Sequence, residues 1–220
     1  NYTGYPMVRQ AREMFRSGEI GKLRVIQVEY AQDWLTLPIE NEGQKQAAWR
    51  TDPSKAGMGG SIGDIGSHAF NLADFITGAK LEELCADISS FVEGRKNDDN
   101  AHVLLRYENG ARGMLWSSQV APGNENALKI RIYGDKGGLE WEQENPNYLS
   151  VDIFGKAKKI IRRAGNETTE MGTRVTRIPP GHPEGYLEGF ANIYSDFAKQ
   201  IISTKQGINI HESLKLVPSI

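Results

Sequence analysis

The apolar positions of the chain change their spacing several times, and each spacing predicts a different element. Near the start they recur at helical intervals, and Gly18 is placed to end that helix. Residues 23–30 alternate between apolar and polar side chains, which predicts a strand. Residues 61–77 return to helical spacing and are followed by Gly78. The apolar residues of the first predicted helix are Met7, Val8, Ala11, Met14 and Phe15.

Between residues 81 and 155, short alternating segments are separated by turn residues, which is typical of consecutive antiparallel strands. Asn109-Gly110 lies between two such segments and predicts a β-hairpin. A second hairpin is predicted around the glycine-rich turn at 134–138. Cys85 falls in an alternating segment, and we expect its thiol to be a small buried side chain and not a nucleophile.

Two segments lack regular spacing and are predicted to be loops. Residues 32–60 are rich in Gly, Gln and Pro, and a loop of this length is usually functional or mobile. Residues 156–183 carry a basic cluster that we expect to lie in a solvated surface loop, formed by Lys156, Lys158, Lys159, Arg162 and Arg163. Residues 186–202 return to helical spacing, with Leu187, Phe190, Ile193, Tyr194, Phe197 and Ile201 in phase.

This order of elements is typical of an α+β fold with a mostly antiparallel sheet, and not of a doubly wound one. No repeat or linker interrupts residues 1–220, so a single domain is predicted. The chain begins without methionine and ends without a polar tail. We therefore expect it to be one domain of a longer protein, cut at both ends.

Composition narrows the class of protein. The formal net charge of −2 provides no basic surface for nucleic acid or an anionic membrane. A single cysteine excludes a disulfide within the chain, and a cytoplasmic location is the default expectation. No apolar run is long enough to cross a bilayer. The composition therefore predicts an ordinary soluble globular protein.

The helix predicted at 61–77 carries the candidate chemistry. Its core-facing stripe consists of Ile62, Ile65, Ala69, Leu72 and Ile76. Asp64, His68 and Asn71 form a second stripe, and an i, i+4 carboxylate and imidazole can touch on a helix face. A histidine paired with a carboxylate is a natural proton acceptor near neutral pH, and Asp64 would hold the ring or raise its basicity. Oxidation of an alcohol needs such a group to remove the hydroxyl proton.

Other interpretations of this helix stay open from spacing alone. Asp64 could cap the helix while His68 makes an ordinary hydrogen bond. A metal site could use the same two residues, but no third ligand lies nearby, and neither His102 nor His211 is an obvious partner. The glycines around position 60 have neither the G-x-G-x-x-G nor the Gly-Lys-Ser/Thr pattern of phosphate loops.

Several further residues are candidates for contacting a sugar. Sugar rings pack on aromatic faces, so Trp34 and Trp49 are candidates, with coverage of the core as the alternative. Arg50 could donate to hydroxyls or brace the loop. His182, between glycine and proline, lies in a shaped turn, and Tyr186 begins the last helix, so either could touch substrate.

The candidate residues form a pattern that resembles a known family. Trp49-Arg50, Gly59-Gly60-Ser61 and Asp64-Ile65-Gly66-Ser67-His68 are similar to the central signature of the Gfo/Idh/MocA oxidoreductases, the relatives of glucose–fructose oxidoreductase and inositol dehydrogenase. Residues 18–22, 98–117 and 132–139 resemble further family segments in the same order. Together these segments span most of the chain.

The resemblance implies a fold and an activity. It implies the family's second domain, an open sheet with helices packed on one face, without the Rossmann domain that binds NAD or NADP. It further implies that Asp64 and His68 are catalytic, with His68 as acid/base, and that the substrate is a sugar, inositol or related polyol. The chain departs from many members at Asn71, where they have aspartate, and before Pro6, where they have arginine. These departures bear on which hydroxyls are recognised.

Three further expectations follow. The family typically covers its open sheet face by self-association, which implies a homodimer or homotetramer. Without a cofactor domain, the chain alone is expected to be inactive, and no residue in it is expected to bind the cofactor or a metal. The alternatives are a sugar-binding module of the same fold without redox chemistry, and a metal-dependent isomerase or hydrolase.

Overall fold

A single open sheet of eight strands organises the computed structural model, which describes residues 1–208 and residue 216. Its strands are β1 (Leu23–Ala31), β2 (Leu81–Ser89), β3 (Asn100–Tyr107), β4 (Arg112–Ser118), β5 (Ala127–Gly134), β6 (Gly137–Glu142), β7 (Tyr148–Ile153) and β8 (Lys159–Arg162). The α-helices are α1 (Pro6–Arg16), α2 (Lys45–Arg50), α3 (Pro53–Ala56), α4 (Ser67–Thr77), α5 (Glu170–Thr173) and α6 (Tyr186–Lys205). A π-helical turn, Ile62–Gly66, precedes α4 directly.

The strands lie in the order β2-β3-β4-β1-β5-β6-β7-β8. Strands β1 and β4 run parallel, and every other neighbouring pair is antiparallel. The predictions of an α+β fold and of both hairpins are therefore confirmed. The predicted loops contain short elements as well: α2 and α3 lie in the first, and β8 and α5 in the second. In β8 three of the four residues are exposed, so the sequence has no alternation of apolar and polar residues that would predict this strand.

Helices α1 and α4 cover one face of the sheet. The buried residues of α4 and its preceding turn include Ile65, Ala69, Leu72 and Ile76, as the helical spacing predicted. They pack into one cluster with the inward residues of the central strands, among them Ile26, Val28, Leu115, Ile130 and Ile132. Burial of this apolar surface is the main favourable contribution to folding.

None of the described residues covers the opposite face of the sheet. A groove of about 250 Å³ runs across it, lined by residues that include Gln27, Glu29, His102, Leu104, Met114, Trp116, Lys129 and Arg131. Leu104 is 62% exposed on this face. Cys85 lies opposite Leu104 and is exposed, so the prediction of a buried thiol is wrong. The reason is that β2 is an edge strand whose residues are exposed on both faces.

Helix α6 forms where it was predicted, but its apolar stripe faces outward. Its buried residues are Gly189, Asn192 and Asp196. Asn192 donates to the carbonyls of Gly4 and Val175 at 2.9 and 3.1 Å, and a Cβ at Gly4 would lie 2.1 Å from the Gly189 carbonyl oxygen. The exposed residues include Leu187, Tyr194, Phe197 and Ile201. A polar and glycine-containing face thus attaches α6 to the domain.

The basic cluster is only partly a solvated surface. Lys156, Lys158, Lys159 and Arg162 are exposed, but Arg163 is 4% exposed, which corrects the prediction for that residue. Arg163 pairs with the buried Glu184 at 3.1 Å and donates to the carbonyls of Ile178, Pro179 and His182. A buried guanidinium requires such partners. Arg163 therefore holds the segment that leads into α6.

The start of the π-helical turn is fixed to the sheet by Asp98. Its carboxylate accepts hydrogen bonds from the Gly60 N–H at 2.6 Å, the Ser61 hydroxyl at 2.8 Å and the Ile62 N–H at 2.8 Å. The neighbouring Asn97 donates to the carbonyls of Arg50 and Gly57 at 3.0 and 3.2 Å. Carboxylates that accept several N–H groups at a helix start stabilise it strongly.

Alanine should affect the stability differently at two glycines, one just before this turn and one within it. A Cβ at Gly60 would lie 1.9 Å from the Asp98 carbonyl oxygen, whereas a Cβ at Gly63 would meet nothing within 4 Å. We expect Gly60→Ala to lower the free energy of unfolding by about 1–3 kcal/mol, because the backbone must move. Gly63→Ala should change it by less than about 1 kcal/mol. Urea denaturation of both variants checks this, and equal stability of the two would contradict the close approach.

Candidate active site

A concavity of about 540 Å³ lies at the end of the sheet where β1, β5, the π-helical turn and the first residues of α6 converge. It is lined by Tyr2, Tyr30, Gln32, Trp34, Gln44, Gln46, Arg50, Asp64, Ile65, His68, Glu125, Asn126 and Tyr186. Volumes of this order are usual for small-molecule sites. Strand ends, a turn and a helix start supply side chains that are far apart in sequence.

Asp64 is held by two donors at this concavity. Its Oδ2 accepts from Arg50 Nε at 3.0 Å and from Gln119 Nε2 at 2.9 Å. Arg50 also donates to Gln46 Oε1 at 2.5 Å, and its guanidinium lies 4.3 Å from the ring centroid of Trp49. Both charged groups are only partly buried, so the pair contributes more to orientation than to stability.

His68 lies beside Asp64 but has different neighbours. Its ring is edge-on to Tyr2 at 5.3 Å between centroids and tilted toward Tyr30 at 6.4 Å. Partial burial lowers the pKa of His68 below its ordinary value, and the negative charge of Asp64 opposes this effect. Within the described part of the chain no hydrogen bond joins His68 to Asp64. Asp64 thus acts on His68 through its charge and not as a hydrogen-bonded ring holder.

A hydrogen-bonded wall runs along the concavity from Tyr2 and Tyr30, beside His68, to Trp34. Trp34 Nε1 donates to Gln32 Oε1 at 3.0 Å, and Gln32 Nε2 donates to Asn126 Oδ1 at 2.9 Å. Tyr30 donates to the same Asn126 oxygen at 2.6 Å and lies 2.5 Å from the Tyr2 hydroxyl. The wall therefore offers hydroxyl and amide groups fixed in position.

Sequence reasoning missed Tyr2, Tyr30, Gln32 and Asn126. Tyr30 and Gln32 surround the end of β1, Asn126 precedes β5, and Tyr2 precedes α1. Strands β1 and β5 are neighbours only in the folded sheet. The sequence offered only a weak signal for these residues, namely the polar Gln32 two positions after Tyr30 at the end of a predicted strand.

The structure brings some predicted residues together and leaves others apart. Trp34, Arg50 and Tyr186 line the concavity with Asp64 and His68. Trp49 lines an adjoining concavity of about 280 Å³ with Arg50, Asp64 and three glycines.

Two predicted substrate contacts lie elsewhere. Asn71 is half-buried on α4 and is not among the residues that line either concavity. His182 lines a separate concavity of about 460 Å³ with Arg163 and Tyr148. In this chain the turn at 181–183 therefore does not reach the site of His68. His211 lies outside the described residues.

The described residues contain neither a candidate metal cluster nor a candidate membrane-spanning helix. Among residues 1–208 and 216, no group of three or more His, Cys, Asp or Glu side chains could hold a metal ion. No helix in the same part of the chain is both long and apolar enough to cross a membrane.

The arrangement has a definite chemical capacity. A histidine whose burial favours the neutral form can accept a proton, and the adjacent carboxylate stabilises the imidazolium that results. The fixed hydroxyl and amide groups of the hydrogen-bonded wall can orient a molecule with several hydroxyls. Trp34 adds an aromatic surface, which packs well on the C–H faces of a sugar or cyclitol ring.

Comparison with known proteins gives consistent results. The family model of the GFO/IDH/MocA C-terminal domain matches residues 8–140. YfiI of Bacillus subtilis strain 168, an uncharacterised oxidoreductase, is 35% identical over 202 residues, which are 90% of this chain and 51% of YfiI.

Solved structures agree. The crystal structure of an oxidoreductase from Sinorhizobium meliloti is 53% identical, with a TM-score of 0.82 over 97% of this chain and 54% of that one. An inositol dehydrogenase homolog from Azotobacter vinelandii, complexed with NADH and myo-inositol, is 32% identical, with a TM-score of 0.84 over 94% of this chain and 52% of that one.

The chain thus spans about half the length of the relatives it matches. More than half of its own residues fall within the family model, and the motifs around Asp64 and His68 lie inside that match. The chain belongs to the GFO/IDH/MocA family and carries its C-terminal domain.

Proposed function

We propose that this chain forms the substrate-binding part of a dehydrogenase that oxidises a hydroxyl of a sugar, an inositol or a related polyol with NAD or NADP. The observation that carries the proposal is His68, whose side chain is exposed at a concavity with a hydrogen-bonding wall and the Arg50–Asp64 pair, and whose pKa is lowered by partial loss of contact with water. The myo-inositol and NADH of the Azotobacter vinelandii relative support it.

In this proposal His68 takes the proton of the reacting hydroxyl. A bound oxidised nicotinamide would supply the hydride acceptor for the carbon that bears this hydroxyl, so that the alcohol would become a carbonyl. Asp64 stabilises the imidazolium that forms, because an opposite charge nearby favours the charged form. Arg50 and Gln119 keep Asp64 in place through its Oδ2 atom. Trp34 and Tyr186 bind the ring, and the polar wall orients it.

The residues at the concavity fit only part of such a cofactor. Beside Asp64, the backbone of Gly59, Gly60 and Gly63 and the ring of Trp49 line an open surface that a flat nicotinamide could approach. Among the residues that the structure describes, Arg50 is the only lysine or arginine lining these two concavities, and it is engaged with Asp64 and Gln46. The start of the helix is likewise engaged with Asp98. The diphosphate therefore needs donors from elsewhere in the protein.

Two uncovered surfaces support further parts of the proposal. The relatives are about twice the length of this chain, and the outward apolar stripe of α6 suits burial against a cofactor-binding part. The uncovered sheet face suits contact with a second copy, which gives a homodimer or homotetramer. Contiguous apolar surface of this kind is typical of interaction sites.

Removal of the imidazole tests the proposed reaction. In the intact protein with NAD or NADP and a panel of polyols, we expect His68→Ala to lower kcat/KM by about 10²–10⁴-fold, since a positioned base contributes that much. Steady-state kinetics measure it, and cofactor binding checks that the variant is folded. Full turnover by His68→Ala would refute the assignment. Polyol binding by an intact protein that never reduces NAD or NADP would favour a binding module.

The pKa of His68 determines on which side of its pH profile kcat/KM falls and in which direction this limb moves in a variant. His68 must be neutral to accept a proton, and its pKa is lowered by partial burial of the ring. We therefore expect activity to fall on acidification only below pH 6.5, the ordinary histidine value. Asp64 raises this pKa, so Asp64→Asn should move the acid limb to still lower pH. Asp152→Asn, an exposed change on β7, is the control and should not move it. An acid limb that moved upward in Asp64→Asn would contradict this account.

The proposed self-association can be tested on β3. Leu104→Glu places a charge in the groove of the open sheet face, and burial of an unpaired charge is costly. We expect light scattering to show a dimer or tetramer for the intact protein and a monomer for the variant. Gln206→Glu makes the same charge change at an exposed position after α6 and should leave the mass unchanged. A monomeric intact protein would refute the proposal.

A further inference from the structure

In each hydrogen bond of the wall it is fixed which group donates and which accepts, and the assignment starts from Trp34. An indole N–H can only donate, and Trp34 Nε1 lies 3.0 Å from Gln32 Oε1. This contact fixes the amide of Gln32, because its oxygen must face Trp34. Its nitrogen then faces Asn126 Oδ1 at 2.9 Å and must donate to it. One donor-only group thus orients the first amide of the wall.

The same logic fixes the two hydroxyl groups. Since Asn126 presents its oxygen, Tyr30, at 2.6 Å, must donate to it. The Tyr30 proton is then engaged, so the contact of 2.5 Å between the two phenols requires Tyr2 to donate to Tyr30. The other side of Asn126 agrees, because its Nδ2 donates to Gln143 Oε1 at 2.7 Å. Burial raises the pKa of Tyr30, which keeps it a neutral phenol.

The wall therefore has two ends of opposite character. The oxygens of Tyr2 and Tyr30 have only lone pairs left, so this end can accept hydrogen bonds but not donate them. The amides of Gln32 and Asn126 each keep one uncommitted N–H, so that end donates. The acceptor end is the one near His68, since the two phenol rings lie 5.3 and 6.4 Å from its imidazole.

We propose that this polarity selects the substrate of the same site, an inference that rests on the proposed function. The hydroxyl next to the reacting one must donate to the tyrosine pair, and a hydroxyl farther along accepts from the two amides. A group that cannot donate, such as a carbonyl, ether or fluorine, is rejected at the tyrosine end. Tyr2, Tyr30, Gln32 and Asn126 are thus specificity residues, and Trp34 sets their direction.

Gln32→Glu is the variant that reverses this direction without changing side-chain length. One carboxylate oxygen still accepts from Trp34, and the other now requires a donor from Asn126. The Asn126 amide must then turn and donate to Tyr30, which frees Tyr30 to donate to Tyr2 and leaves the Tyr2 proton for the ligand. Gln143 and Tyr5, at 3.3 Å, can follow the change, because each can both donate and accept. Gln206→Glu is the matched charge control.

The probes are myo-inositol and its singly deoxy and deoxyfluoro analogues, titrated calorimetrically into the intact protein with NADH. Fluorine cannot donate, so at one ring position we expect the deoxy and deoxyfluoro analogues to bind equally weakly, about tenfold below myo-inositol. In Gln32→Glu the deoxyfluoro analogue should regain affinity over the deoxy analogue at that position, and in Gln206→Glu it should not. Better binding of the deoxyfluoro analogue at every position in the unaltered protein would overturn the proposal.

Neutron diffraction from deuterated crystals of the intact protein locates the deuterons of the wall, and so shows which group donates in each hydrogen bond, without any polyol. We expect the Tyr2 deuteron on the line to Tyr30 and the Tyr30 deuteron on the line to Asn126, and the reverse arrangement would overturn the proposal. If no polyol binds while these deuterons lie as expected, the proposed substrate class fails and the polarity stands. The two failures are therefore distinguishable.

Discussion

The carboxylate of Asp98 is the contact on which the geometry of the site depends. It binds two backbone N–H groups and one hydroxyl at the start of the π-helical turn, and so attaches the segment carrying Asp64 and His68 to the end of β3. The adjacent Asn97 binds the carbonyl of Arg50, the partner of Asp64. One dipeptide therefore fixes both members of the charged pair. The close approach at Gly60 is part of the same contact, since a side chain there would displace the backbone.

The site combines a rigid polar frame with one weakly held group. Asp64, Gln32, Tyr30 and Asn126 have hydrogen-bond partners that fix their orientation. His68 has aromatic neighbours instead, and burial favours its neutral form. A preorganised frame lowers the cost of orienting a substrate. A neutral imidazole without a fixed partner keeps its proton-accepting capacity for the ligand.

The exposed apolar residues of the described chain lie on two surfaces, the open face of the sheet and the outer side of α6. The sheet is covered by helices on one side only, and α6 is attached through its polar and glycine face. Helix α6 thus inverts the usual rule that an amphipathic element turns its apolar side inward. The inversion has a physical basis here, because the buried contacts of α6 are hydrogen bonds and ion pairs such as Arg9–Asp196 at 2.6 Å.

Sequence by itself determined the local elements and the centre of the site. Period-2 and period-3.6 spacing located β1, the hairpins, α1, α4 and α6, and the motif around Asp64 and His68 indicated the family, because these signals depend on neighbours along the chain. Only tertiary structure decided that Tyr2, Tyr30 and Asn126 share a wall with them, since β1 and β5 are far apart in sequence. It also placed His182 in another concavity, buried Arg163 and exposed Cys85. Each of these depends on which surface lies opposite, and spacing along a chain carries no information about that.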